Sequence, residues 1–233
     1  MRSFADVFNR RDNHMSDHKP CGPYERFIKR PLDCLLAICA LIVLSPTIGV
    51  TALLVRIKLG TPVFFTQERP GKDEKIFKLY KFRSMTDRRD EEENLLPDDE
   101  RLTKFGRMLR STSLDELPQL FNIIRGDMSV VGPRPERPEL TEEYKKEMPE
   151  FGFRLKVKAG LTGYAQVTGA YDTTPYDKLK MDLMYIENYS IRLDLQIILM
   201  TLKTMFFPPK NNAEIDESVL APKIADEKKE NSR

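Results

Sequence analysis

Cys34 to Val55 is a run of 22 residues without a charge, in a chain that is 32% charged overall. A straight helix of that length would be roughly 33 Å long, enough to cross the hydrocarbon core of a bilayer. The run starts too far from Met1 to be a secretory signal, and no small-residue cleavage site follows it. Two features argue against a plain crossing. Ser45-Pro46 sits at its middle, and proline removes one helical hydrogen bond and clashes one turn back. Ser45 can offer its hydroxyl to a freed carbonyl, which makes a break tolerable in lipid. Both flanks are also basic, with Arg26, Lys29 and Arg30 before the run and Arg56 and Lys58 after it. Cations prefer the cytoplasmic side, so both ends belong there. Each half is about 11 residues, too short to cross alone. The sequence thus predicts a re-entrant helix-break-helix hairpin that enters and leaves one leaflet. A kinked span and a buried pair of core helices are the alternatives.

The whole chain has 233 residues, the length of one ordinary domain with a real core, and a net charge of +2. Its only histidines are His14 and His18, both in a polar leader. A Ser-His-Asp, Cys-His or His-rich zinc site therefore has almost nothing to work with. Cys21, Cys34 and Cys39 are odd in number and unlike a zinc knuckle in spacing, and they read as free thiols in a reducing compartment. Chemistry built on carboxylates, arginine, lysine and backbone groups stays open.

The predicted organisation is a disordered leader (1–20), the membrane hairpin (21–58), a cytoplasmic domain with interfacial helices (59–209) and a disordered, charged tail (210–233). The fold class is α+β, mostly helical, in a monotopic membrane protein. Thr61–Thr66 and Ile76–Phe82 make a small β-hairpin-like unit around the Pro70-Gly71 turn signal. Lys72, Lys75 and Lys78 read as its solvated face. Residues 90–100 form a surface loop. Arg101–Arg110 is a basic amphipathic helix with Leu102, Phe105, Met108 and Leu109 on one face, suited to a membrane surface or to core packing. Leu117, Leu120, Phe121 and Ile124 place a helix over 117–125, ended near Gly126. Arg154–Lys158 alternates like a strand, Gly160, Gly163 and Gly169 mark tight turns, and 176–188 looks helical. Leu193–Phe207 carries Asp194, Gln196 and Lys203 and is too polar for a second span. It lies in the membrane interface or packs on the core, the interface being favoured, and Pro208-Pro209 stops it.

The densest chemistry lies in Ser113-Leu-Asp-Glu-Leu-Pro-Gln-Leu120. Asp115 and Glu116 precede a helix whose first position suits Pro118, which puts them at the positive end of the helix dipole. Capping explains this too, since Ser113 and Glu116 have capping-box spacing. Alternatively, one carboxylate attacks phosphorus while its neighbour holds Mg²⁺, a hard cation that shares oxygen ligands with substrate phosphates. Lys81, Arg83, Arg110 and Arg125 are candidates to neutralise those phosphates. Downstream, Pro133-Arg134-Pro135 is a rigid turn. It either presents one arginine to a phosphate or base at low entropic cost or is structural.

Taken together, Ser45-Pro46, Lys81-Phe-Arg-Ser-Met85, Thr112-Ser-Leu-Asp-Glu-Leu-Pro-Gln-Leu120 and Gly126-Asp-Met-Ser-Val-Val-Gly-Pro-Arg-Pro-Glu136 resemble the bacterial sugar transferases. The closest type is the monotopic polyprenyl-phosphate phosphoglycosyl transferase in its small catalytic form. The resemblance runs from about Tyr24 to Phe207. It implies transfer of a sugar-1-phosphate from a UDP-sugar to a polyprenyl phosphate such as undecaprenyl phosphate at the cytoplasmic face of the inner membrane. UMP is released, and a capsule, exopolysaccharide, O-antigen or glycoprotein glycan is begun. By motif, Asp115 would be the nucleophile that forms a covalent phosphosugar intermediate. Glu116 would be its dyad partner and, with Asp115, a Mg²⁺ site. Pro133-Arg134-Pro135 would bind nucleotide, Lys81 and Arg83 would contact phosphate, and Ser45-Pro46 would be the re-entrant break. Downstream glycosyltransferases and a second copy of the chain are further partners that it admits. Glu100-Arg-Leu-Thr103 and Tyr164 depart from the common pattern, the latter where sugar contact is expected. A second enzymatic reading is direct attack by the polyprenyl phosphate. A non-catalytic scaffold that binds nucleotide sugars or partner transferases is the other class. Nucleic-acid binding is disfavoured by the near-neutral charge and the absence of a basic, aromatic-lined groove.

Overall fold

A computed structural model describes residues 22–169 and 173–206. The predicted leader and tail, His14, His18, Cys21 and Pro208-Pro209 lie outside the described residues. A π-helical turn, Tyr24–Ile28, leads into helix α1, Lys29–Lys58. Here the structure corrects the sequence reading, because α1 continues through Pro46 as one helix instead of breaking into two. The reason is local. Pro46 leaves the Ile42 carbonyl without its helical N–H, and the Ser45 hydroxyl donates to that same carbonyl at 2.8 Å. One lost bond with a replacement does not stop a long helix.

α1 is not a buried core helix. Only 11% of its most apolar stretch is buried, and Ile42, Val43, Val50 and Leu53 are exposed. Its two ends are the packed parts. Ala37 joins Leu120, Ile123 and Met128 in one apolar cluster, while Val55 and Leu59 join Phe82 and Leu109 in another. Polar ties fix the first end. Ser129 Oγ donates to Asp33 at 2.7 Å, and Arg30 donates to the Ile123 and Ile124 carbonyls, 2.6 Å each.

Strands β1 (Phe64–Pro70) and β2 (Ile76–Phe82) pair antiparallel with Thr66 opposite Tyr80; the hairpin and its second strand are as expected, but the first strand lies later than the expected Thr61–Thr66 and includes Pro70. The basic segment forms a single turn at Asp98–Arg101 and then helix α2, Lys104–Ser111, capped by the Thr103 hydroxyl accepting from Gly106 N–H. Leu109 is buried and Met108 exposed, so one face of α2 packs on the core. A 3₁₀ turn, Leu114–Glu116, precedes α3, Gln119–Arg125, with Pro118 one residue ahead of the first helical position. Asn122 on α3 is fully buried; its Oδ1 accepts from Tyr80 N–H at 3.0 Å and its Nδ2 donates to the Lys78 carbonyl at 2.7 Å.

Strand β3 (Met128–Val131) pairs in parallel with β4 (Ala159–Thr162), and between them lie α4 (Pro138–Glu147) and a 3₁₀ segment, Pro149–Lys156. The strand expected over Arg154–Lys158 is therefore mostly 3₁₀ helix. Arg154 turns inward to an acid instead of alternating on a sheet face. Gly160, expected in a turn, lies within β4, where a Cβ would come 2.2 Å from the Gly132 nitrogen. The two backbones approach too closely for any side chain there.

Helices α5 (Tyr164–Thr168), α6 (Pro175–Glu187) and α7 (Ile191–Phe206) complete the fold. Their core residues Val167, Leu179, Tyr185 and Ile197 cluster with Tyr24, Val131 and Phe151. Asp194 on α7 faces inward and collects the Tyr24 hydroxyl at 2.5 Å, Lys29 Nζ at 2.6 Å and the Tyr185 hydroxyl at 2.8 Å. On the opposite side Ile191, Leu195, Leu199, Leu202 and Met205 are exposed, an apolar stripe at helical spacing that suits the interface reading.

Candidate active site

Four segments build the site. β2 supplies Lys81, the end of α2 supplies Arg110, the 3₁₀ turn before α3 supplies Asp115 and Glu116, and the loop after β3 supplies Arg134. The 3₁₀ turn forms because Ser113 takes a left-handed conformation, φ 54°, and reverses the chain after α2. Ser113 makes no side-chain capping bond, and Glu116 turns away toward cations, so capping does not explain the acid pair. The Arg134 loop is pinned from both sides. Gly132 N–H donates to the Thr162 carbonyl, and Gly160 N–H to the Pro133 carbonyl, both at 2.9 Å.

These residues converge on a cavity of about 690 Å³, the size of a small-molecule or cofactor site. Its lining holds Lys81 and six arginines (Arg69, Arg83, Arg101, Arg110, Arg134, Arg137) against Asp87, Asp98, Asp115 and Glu116. Such an excess of cations favours a multiply charged anion such as a diphosphate. Pro62, Phe64, Phe65 and Leu95 make an apolar rim on the same cavity.

The two carboxylates are in different states. Glu116 Oε1 accepts from Lys81 at 2.8 Å and from Arg134 Nη2 at 2.5 Å, and Oε2 from Arg134 Nη1 at 3.3 Å. Burial pushes its carboxyl up, but Arg134 and Lys81 outweigh burial and hold it down at about 2. Asp115 is 6% exposed, and no other side chain among the described residues hydrogen-bonds it. Burial pushes its carboxyl above the usual aspartate value, Lys81 and Arg110 pull against that, and Glu116 adds to it. One acid is clamped and ionised, while the other keeps its oxygens open to the cavity.

Among the other expected residues, Arg83 lines the cavity but spends its donors on the Met85 and Thr61 carbonyls and on Asp87. Arg110 lines it with Nε on Ser84 Oγ at 3.0 Å. Arg125 is placed elsewhere. It sits at the end of α3 against the Tyr80 hydroxyl and Asp127, outside the cavity lining. Pro133 and Pro135 back the Arg134 turn from a small adjoining crevice.

The sequence reading misses several residues of the site. Arg69, Arg101 and Arg137 join the lining together with Asp87 and Asp98, and Arg69 Nε is buried without a hydrogen-bond partner. Arg154 and Asp182 lie behind the turn. Arg154 Nε donates to Asp182 Oδ2 at 2.6 Å and Nη2 to the Arg134 carbonyl at 3.0 Å. Their separation in sequence carries no local signal.

Fold and site together define an enzyme that carries an acid pair in a cationic, phosphate-suited cleft beside an apolar anchor helix. A family model described as "Bacterial sugar transferase" matches residues 24–208. Among curated relatives, the "Uncharacterized sugar transferase EpsL" of Bacillus subtilis (strain 168) is 46% identical over 176 residues, 76% of this chain and 86% of its own length. The UDP-glucose:undecaprenyl-phosphate glucose-1-phosphate transferase of Caulobacter vibrioides is 35% identical over 198 residues, 80% of this chain and 74% of its own. The Klebsiella pneumoniae protein of that same name is 42% identical over 190 residues, 78% of this chain, which spans 41% of the Klebsiella protein. The chain belongs to the bacterial sugar transferases, the polyprenyl-phosphate phosphoglycosyl transferase family.

Proposed function

We propose that the chain transfers a sugar-1-phosphate from a UDP-sugar to a polyprenyl phosphate, undecaprenyl phosphate being the reference acceptor, and that it does so at the cytoplasmic face of the bacterial inner membrane. The observation that carries this reading is the division within the acid pair. Both Glu116 oxygens accept from cations, while Asp115 opens on the cavity. Asp115 attacks the sugar-bearing phosphorus, the bond from that phosphorus to the bridging oxygen breaks, and UMP leaves with the oxygen. An oxygen of the polyprenyl phosphate then attacks the same phosphorus and returns the Asp115 carboxylate. Lys81, Arg110 and Arg134 neutralise charge on the diphosphate, and Arg69 and Arg137 extend that cationic wall. The names of the Caulobacter and Klebsiella relatives support the substrate pair.

Mg²⁺ suits this donor set. The described residues contain no group of three or more His, Cys, Asp or Glu that would enclose a metal by themselves. Two hard carboxylates beside a diphosphate site match the habit of Mg²⁺, which keeps waters and shares substrate oxygens. Asp115 and Glu116 would hold it. When bound, the ion supplies charge neutralisation on the phosphates.

A re-entrant α1 belongs to the same proposal, as one helix unbroken at Pro46 that dips into one leaflet between its two packed ends. Both of its ends pack on the same domain and both carry cations, while its middle is the exposed part. The test is UMP release over a panel of UDP-sugars with undecaprenyl phosphate and Mg²⁺. Asp115→Asn is expected to abolish release, and a phosphosugar is expected to be trapped on the wild-type protein without acceptor. Release at the wild-type rate from Asp115→Asn overturns the nucleophile assignment.

A further inference from the structure

A second, smaller pocket of about 70 Å³ lies at the base of α1, lined by Glu25, Lys29, Arg30, Asp33, Lys72, Ser129, Val157, Lys158 and Tyr189. None of these residues lines the large cavity. The pocket's charges are unequally satisfied. Lys29 is bound to Asp194, and Arg30 to two carbonyls at the end of α3. Asp33 is occupied by Ser129 and the Val130 N–H. Lys72 and Lys158 are both partly buried, and among the described residues neither side chain has a hydrogen-bond or ion-pair partner. Burial pushes the Lys158 ammonium down, and Arg30 and Lys72 push in the same direction, while the Asp33 and Asp127 carboxylates pull against them. The lining thus holds Lys29, Arg30, Lys72 and Lys158 against Glu25 and Asp33, and partly desolvating two cations without a direct hydrogen-bond acceptor costs stability.

We infer that this pocket is a second anion site, in which Lys72 and Lys158 bind the phosphate of an anionic lipid headgroup. The volume suits one tetrahedral oxyanion and excludes a nucleotide. The two ammonium groups supply donors only, and a phosphate supplies acceptors only. The place identifies the source. Glu25, Lys29, Arg30 and Asp33 form the last polar turns before the uncharged run that starts at Cys34, so the pocket lies at headgroup height, where basic pockets hold anionic lipids. This last step rests on the membrane association proposed above. The bound lipid would tie the loop after β1 and the approach to β4 to the bilayer.

The test uses the full chain in detergent, with native mass spectrometry scoring retained lipid from equimolar phosphatidylglycerol and phosphatidylcholine. Wild type is expected to prefer phosphatidylglycerol. Lys72→Ala/Lys158→Ala is expected to lose that preference by about fivefold per lysine while still binding phosphatidylcholine. Lys72→Arg/Lys158→Arg is expected to restore it. Equal preference in wild type and the alanine variant overturns the inference. A melting temperature raised by inorganic phosphate in wild type alone, with no lipid preference, assigns the pocket to a soluble phosphate and overturns the headgroup source. UMP release from the same preparations reports on the catalytic reading separately, and the alanine variant is expected to keep it.

Discussion

Replacing Asp182 by Asn tests the link between the buried interior and the Arg134 turn. The Arg154–Asp182 pair is 2.6 Å long with side chains 5% and 1% exposed, and Arg154 also lies 4.6 Å from the Phe151 ring centroid. Asn keeps the shape but removes the counter-charge, stranding a guanidinium in the core. Breaking a buried pair this way costs about 3–5 kcal/mol. At about 2–4 °C per kcal/mol for a chain of this size, the melting temperature should fall by roughly 6–20 °C. Arg154→Met/Asp182→Leu removes both charges and should recover most of that loss. The double variant still lacks the bond from Arg154 to the Arg134 carbonyl, so its KM for UDP-sugar should stay raised, roughly tenfold for one charge-assisted hydrogen bond. Thermal unfolding in detergent and UMP-release kinetics read the two effects separately. Asp182→Asn melting within about 2 °C of wild type refutes the burial argument. A double variant with wild-type KM reduces Arg154 and Asp182 to a purely structural role.

Glu116 titrates at about 2 against an ordinary 4.5. A depressed carboxylate stabilises the fold fully above 4.5, and that contribution, about 3 kcal/mol, is lost as pH falls through 2. Glu116→Gln should flatten the acid side of a melting-temperature profile between these values, and an unchanged slope removes Glu116 as its source. Lys81 pulls the raised Asp115 carboxyl down, so Lys81→Met should move the acid limb of kcat/KM to higher pH, whereas a limb that moves down contradicts the assignment of that limb to Asp115. Cysteines placed at positions 22 and 60, in a chain stripped of its own three, should react with an impermeant label from the same side of sealed vesicles. Reaction from opposite sides makes α1 a span.

The elements that were legible in the sequence are those specified by local patterns. The uncharged run, the hairpin over β1 and β2, and α6 each follow from periodicity or turn chemistry within a few residues. Pro46 misled in detail because a proline costs a helix one bond, and whether the helix breaks depends on what replaces it; here Ser45 does. Arg154 misled because a residue that satisfies a distant acid follows no local period, and Asp182 carries no mark of its own. The acid pair, Lys81 and Arg134 stood out as motif residues and Arg110 as a nearby cation, and the structure brings them to one cavity. That Glu116 is held while Asp115 stays open was not legible, since it depends on Lys81 and Arg134 arriving from segments on either side of the pair in sequence.

Asn122 offers β2 one donor and one acceptor at backbone spacing, so the strand's outer edge already has a neighbour, made from a single side chain. A two-stranded ribbon with a bare edge invites further strands; this one is closed by an amide that cannot propagate. The same two bonds index the strand against the helix. A slip of β2 by one residue would turn Lys81 to the opposite face, and the Tyr80 N–H and Lys78 carbonyl would lose their only seat. Asn122 thus acts as a stop for sheet growth and as the gauge that sets how far Lys81 reaches toward Glu116.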